Sequence, residues 1–252
     1  MATLVSSSEN QPASSANAYM RPGFRWNAAD AYLFDIDGTL LNSRDPVHYF
    51  AFHHAVQDVF GREAKIDGVP VHGNTDIGIL RAVLRRDGFS DQEIDAGVPR
   101  MIAHMCAEVE RNSQQMQPEL CPSVGELLAR LQAVGKLLGA ASGNLETIGW
   151  LKLEKAGIRN MFSFGSFCFP FERRADILMH GIDLARHRLG NQAAVFVVGD
   201  TPADIEAAKC VNAPIIAIAS GIYKFQDLLA LQPDACFGCA TDMLKVGKLV
   251  TG

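Results

Sequence analysis

Two aspartates one residue apart, Asp35 and Asp37, follow the apolar run Tyr32-Leu33-Phe34 and precede Gly38 and Thr39. An apolar run that ends abruptly in acids and a glycine reads as a buried strand with carboxylates at its tip. Side chains alternate along a strand, so Asp35 and Asp37 share a face while Ile36 turns away into packing. Two carboxylates converging on one small volume resist double ionisation unless a cation lies between them or one proton is retained. Such a pair can divide covalent chemistry, one acid attacking as a nucleophile while its neighbour moves a proton. An acidic turn after a strand would also give D-x-D and do no chemistry. The wider string D-I-D-G-T-L-L, Asp35 to Leu41, is far more specific.

That string resembles the first motif of the haloacid dehalogenase-like hydrolases, most of which are magnesium-dependent phosphatases. Further segments resemble the remaining motifs. In G-A-A-S-G-N, Ser142 follows an apolar run and precedes a helical pattern. Its hydroxyl and the N–H groups of Gly143 and Asn144 could hold a phosphoryl oxygen at a positive helix end. An ordinary helix N-cap is the plainer use of the same serine. In V-V-G-D-T-P-A-D-I, Asp200 ends a strand and Asp204 falls in the first turn of the next helix, with Thr201 as N-cap and Pro202 at the first helical position. An acid at a buried strand tip beside Asp35 would add repulsion unless it served a cation. Hard oxygen donors without soft ones indicate Mg2+ rather than zinc.

The family's third motif carries a lysine, and here the match departs. Around F-E-R-R-A-D-I-L the lysine position falls on Glu172. Relatives with an arginine at this place put Arg174 in the role, with Arg173 as second choice, and an always-charged guanidinium can do the electrostatic work. The resemblance then implies Asp35, Asp37 and Arg174 as catalytic residues. It implies Mg2+ held by Asp35, the Asp37 backbone carbonyl, Asp200 and Asp204, and a phosphate positioned by Thr39, Ser142, Gly143 and Asn144. The segment G-N-T-D-I-G-I-L, Gly73 to Leu80, resembles one that places Thr75 and Asp76 against the substrate. Thr75 as a helix N-cap is the alternative.

The elements that must position these groups are legible in outline. From residue 46 to about 118 the apolar spacing is helical, with Phe52, Ala55, Val56 and Val59 in the first segment and Ile77, Leu80 and Val83 in the second. From Ser123 onward, helical patterns alternate with short apolar runs at 136–141, 161–164, 193–198, 214–219 and 235–237, which argues for a parallel sheet with helices on both faces. Ligands bind beyond the carboxyl ends of such strands, where the candidate residues sit. The expected architecture is α/β, a Rossmann-like parallel sheet core (29–44 and 119–252) with an inserted all-helical cap (45–118) and a flexible leader (1–28).

Bulk properties agree with a globular protein. The chain has 252 residues, 48% of them hydrophobic and 20% charged, with a formal net charge of −5. That charge gives no reason to expect nucleic acid or an anionic membrane as partner, and no apolar run approaches the roughly 20 residues that span a bilayer. The Ser/Asn-rich start lacks the pattern of a secretory signal. Six scattered cysteines fit reduced thiols in a cytoplasm better than a disulfide scaffold. The Cys236-x-x-Cys239 pair lacks a second ligand pair and is read as structural. The leading expectation is a cytoplasmic phosphatase, monomeric or homodimeric, acting through an aspartyl-phosphate on a small phosphorylated metabolite, with 2-phosphoglycolate as candidate. A phosphomutase of the same fold and a non-catalytic phosphate-binding protein are the alternatives.

Overall fold

The structure is a computed structural model that describes residues 17–42, 46–66 and 68–247. Three strands, β1 (Ala18–Met20), β2 (Ala31–Phe34) and β3 (Leu41–Asn42), precede three helices, α1 (Pro46–Phe60), α2 (Asp76–Arg86) and α3 (Asp91–Asn112). After β4 (Glu119–Leu120) the chain alternates through α4 (Val124–Ala133), β5 (Leu137–Ala141), α5 (Glu146–Lys155), β6 (Phe164–Ser166), α6 (Arg174–Leu189), β7 (Val195–Gly199) and α7 (Pro202–Cys210). It closes with β8 (Ile215–Ile218), α8 (Phe225–Ala230), β9 (Ala235–Phe237) and α9 (Ala240–Lys245).

Seven strands form one sheet in the order β1-β9-β8-β7-β2-β5-β6. Every neighbouring pair is parallel except β1 with β9. β2 lies between β7 and β5, and all four of its residues are buried, as a strand covered on both faces requires. Its alternation divides the core into two layers: Ala31 and Leu33 pack with Val195, Val197, Ile177 and Ile182, while Tyr32 and Phe34 pack with Phe196, Phe162 and Leu128. The parallel sheet with helices on both faces is the α/β, Rossmann-like architecture expected.

The leader needs correction. Residues 1–16 lie outside the described residues, but from Asn17 the chain is part of the fold. β1 pairs antiparallel with β9, the Arg21 N–H donates to the Asp234 carbonyl (2.8 Å), and Trp26 is buried. The polar composition concealed Met20, Phe24 and Trp26, which pack against the second core layer.

The helical stretch between β3 and β4 contains no strand among the described residues, and its two ends are tied together. Leu41 pairs with Leu120 and Asn42 with Glu119 in a two-stranded ladder. Strands of two residues are too short to show any periodicity in sequence. Thr75 caps α2 by accepting from the Gly78 N–H (3.0 Å), with Asp76 in the first turn and Arg85 and Arg86 in the last.

Candidate active site

Because β5, β2 and β7 are adjacent and parallel, their carboxyl ends bring Ser142, Asp35 and Asp200 to one edge of the sheet. The Asp35 N–H donates to the Val198 carbonyl (2.9 Å), which extends the ladder as far as the acid itself. Beyond it the chain must turn under Asp200. Gly38 does so at φ +90°, and a Cβ there would lie 2.2 Å from Asp200 Oδ2. Glycine in the D-I-D-G-T string thus makes room for an acid 162 positions later.

Asp35, Asp200 and Asp204 each place a carboxylate oxygen within 4.8 Å of the others, and all three are buried. Arg174, from the first position of α6, inserts among them. Its Nη2 lies 2.7 Å from Asp35 Oδ1 and 2.5 Å from Asp204 Oδ1, and its Nε donates to Asp204 Oδ1 (2.6 Å). The other oxygen of Asp204 accepts from the Thr201 N–H (3.0 Å) and hydroxyl (2.7 Å), the capping box of α7. Thr39 Oγ1 donates to Asp200 Oδ1 (3.0 Å). Three acids facing one guanidinium do not balance. Burial pushes Asp35 up to about 7, against the pull of Arg174 and with the Asp204 and Asp37 charges adding to the rise. Burial, then the Asp35 and Asp204 charges, pushes Asp200 up to about 8. A buried set of hard oxygen donors in which protonation is favoured for want of positive charge fits a divalent cation.

The carboxylate of Asp37 turns away from these three acids to a second group. Lys152 Nζ lies 2.8 Å from Asp37 Oδ2 and 3.0 Å from Oδ1, and it also donates to Asn144 Oδ1 (2.7 Å). Asn144 Nδ2 in turn donates to Asp37 Oδ2 (2.6 Å) and to Ser142 Oγ (2.8 Å). The Asp37 side chain is thus drawn to a buried ammonium, which leaves its backbone carbonyl as the atom expected to face the ion. Lys152 was not among the residues singled out in the sequence. In the structure Ile148, Gly149, Lys152 and Leu153 form the buried face of α5, and a lysine on such a face needs an anionic partner, but the spacing alone does not show which face is buried.

Between the two arginines the geometry discriminates. Arg174 is buried between Asp35 and Asp204, whereas the Arg173 side chain is 76% exposed and pairs with Asp176. Glu172, at the family's lysine position, forms a two-bond contact with Arg81 of α2, both at 2.8 Å. The Thr75 hydroxyl donates to the Glu172 carbonyl (3.1 Å) while it caps α2, so it serves the junction between the helices and the sheet. Asn74 and Asp76 on either side of it line the cavity. Asp76 Oδ2 accepts from the Leu145 N–H (2.8 Å), which supplies α5 with the cap that Leu145 cannot, and its Oδ1 lies 3.3 Å from His48 Nε2. Gly143 lets the two regions touch: a Cβ there would lie 2.4 Å from the Asn74 carbonyl oxygen.

These groups surround a cavity of 710 Å³ lined by Asp35, Asp37, Asp200, Ser142, Gly143 and Asn144 on the sheet side. Residues 32–218 match the description haloacid dehalogenase-like hydrolase. The chain belongs to this family. It is 29% identical over 217 residues to a phosphoglycolate phosphatase of Synechococcus elongatus, covering 85% of this chain and 95% of that one. It is 25% identical over 205 residues to a phosphoglycolate phosphatase of Agrobacterium fabrum, covering 80% and 85%. In fold it is similar to a crystal structure of a predicted phosphoglycolate phosphatase from Haemophilus somnus, with a TM-score of 0.63, 20% identity and coverage of 87% and 98%. This haloacid dehalogenase-like hydrolase thus gathers its acids at the carboxyl end of a parallel sheet.

Proposed function

We propose that the protein is a magnesium-dependent phosphatase that hydrolyses a small phosphate monoester through an aspartyl-phosphate. The observation that carries this reading is the placement of Asp35 at the strand tip, with Oδ1 held by Arg174 and Asp200 close by. In the first step the Asp35 carboxylate attacks phosphorus, the bond from phosphorus to the ester oxygen breaks, and Asp37 gives that oxygen a proton. In the second, water attacks the acyl phosphate as Asp37 takes its proton, releasing inorganic phosphate and restoring Asp35. Arg174 orients Asp35 and offsets charge as it builds on the phosphoryl oxygens. Lys152 and Asn144 fix the Asp37 carboxylate in place. Ser142, Gly143 and Asn144 line the position of the phosphoryl group.

Asp35, Asp200 and the Asp37 backbone carbonyl would hold magnesium, with Asp204 acting through Arg174 from behind. When bound, the ion supplies positive charge to the phosphoryl group and to the crowded carboxylates. Residues 45–118 act as a cap over the cavity, a role supported by the contacts of Asp76 with Leu145 and of Arg81 with Glu172. A closed cap excludes water other than the hydrolytic one. We place the enzyme in the cytoplasm, acting on a phosphorylated metabolite. The substrate named for the two relatives, 2-phosphoglycolate, is the reference against which others are measured.

Release of phosphate from p-nitrophenyl phosphate tests this directly. Turnover with magnesium, its loss on chelation and its loss in Asp35→Asn are expected. Absence of turnover under every divalent metal tried would overturn the proposal.

A further inference from the structure

The cavity has two unlike walls. On the sheet side, three carboxylates (Asp35, Asp37 and Asp200) line it together with Lys152 and Arg174, and Asp76 adds a fourth from the start of α2. Both of those cations are already committed, Lys152 to Asp37 and Asn144, Arg174 to Asp35 and Asp204. The helical stretch contributes an apolar wall, Tyr49, Phe50 and Phe52 from α1 with Ile66 and Ile79 beyond it, and Ile222, next to the Gly221 that packs on Asp200, adds an apolar side chain from the loop after β8. Tyr49 and Phe50 meet edge to face with ring centroids 5.5 Å apart. They remain 52% and 53% exposed, and Ile222 61%, although each could gain by burial.

Among the described residues the apolar wall carries no lysine or arginine. Its neighbouring ionisable side chains are His72 and His48, the latter 3.3 Å from Asp76. A second anionic group on a substrate would lose water against aromatic rings and approach the Asp76 carboxylate. An aromatic or alkyl group would instead cover Tyr49, Phe50 and Ile222. The volume also suits a substrate larger than a two-carbon acid.

We propose that this wall is the leaving-group site and that it selects phosphate monoesters of apolar, uncharged alcohols over esters bearing a second anion. The assignment rests on the phosphatase reading above and narrows its substrate class.

The test compares benzyl phosphate with 2-phosphoglycolate, both esters of alkyl alcohols. It uses kcat/KM in the wild-type protein with magnesium, and Kd by calorimetry in Asp35→Asn, where no turnover intervenes. The benzyl ester is expected to be favoured by about tenfold or more in both measurements. Tyr49→Ala with Phe50→Ala should erase most of that preference, and Phe50→Lys should raise the relative efficiency with 2-phosphoglycolate by about tenfold. Both positions are exposed, so the fold should survive. A wild-type preference for 2-phosphoglycolate, or a ratio unmoved by all of these substitutions, would overturn the assignment. If nothing turns over but the binding preference holds in Asp35→Asn, the wall assignment stands and the phosphatase reading falls.

Discussion

Around Asp37, one carboxylate meets one ammonium and one amide; around Asp35, three carboxylates meet one guanidinium. Both groups lie at the same end of the sheet, and both are built from residues far apart in the chain. The Asp37 group is matched in charge and hydrogen bonding, so it needs nothing further to hold its shape. The Asp35 group is short of positive charge, and its protein partners leave Asp35 and Asp200 with carboxyls pushed up to about 7 and about 8. Balance suits a group that must stay oriented while it passes a proton. Deficit suits a group that must receive a cation and a phosphoryl group.

Neutralising one acid in each group should therefore leave different marks, a loss of rate with the fold kept at Asp35 and a loss of rate with a loss of stability at Asp37. Asp35→Asn removes the attacking oxygen, and phosphate release should fall by roughly four orders of magnitude or more. The same variant should keep its fold by circular dichroism, since it removes a charge from a crowded cluster. Retention of most of the rate would mean that Asp35 is not the nucleophile. Arg174→Ala should follow, lowering kcat by about 100- to 1,000-fold because the carboxylate loses its orienting cation and the phosphoryl group its counter-charge. Arg173→Ala, outside the cluster, should leave kcat within about twofold. An equal loss in the two variants would dissolve the distinction drawn between them.

In the balanced group the effect should appear in stability as well as in rate, since Asp37 also moves the proton. Lys152→Met leaves Asp37 without its ammonium, and Asp37→Asn leaves a buried ammonium without its carboxylate. Because the Asp37 side chain is 35% exposed and the Lys152 side chain only 3%, the second change should be the worse. We expect a cost of about 2–3 kcal/mol for Asp37→Asn and less for Lys152→Met, read from denaturant midpoints. If the order were reversed, water would not be able to replace Lys152 at Asp37, and exposure would not be what sets the order.

The difference between the groups also explains what could be read in the sequence. Asp35, Asp200 and Asp204 stood out because each sits at an element boundary, where a strand run stops or a helix begins, and local pattern marks such places. The parallel sheet followed from the same alternation of runs. Lys152 lies in mid-helix, where nothing local distinguishes a lysine with a buried partner from one that reaches solvent. The joining of Asp76 to Leu145 and of Arg81 to Glu172 depends on how the helical stretch settles on the sheet, which no spacing encodes. Trp26 and Met20 were hidden by polar neighbours in a stretch whose average composition resembles a tail.

The smallest effect is the most direct probe of the charge deficit, the stability of the metal-free protein against pH. Asp35 and Asp200 have pKa values raised above their ordinary 3.8, so between that value and about 8 the folded chain binds more protons than the unfolded chain. Unfolding free energy must then decrease as pH rises through this window, and the contribution of these groups is fully present only below about pH 4. In chelator, after allowance for other titrating groups, the unfolding free energy should fall steadily between about pH 5.5 and 8.5, seen as a falling Tm. Asp35→Asn should flatten the slope by removing one of the two protons involved. Magnesium should flatten it in the wild type, since it binds the ionised carboxylates and stabilises the folded state more at the higher pH. Were the metal-free slope the same in the wild type and in Asp35→Asn, the cluster would already be neutralised by some other means, and the contrast with the Asp37 group would lose its basis.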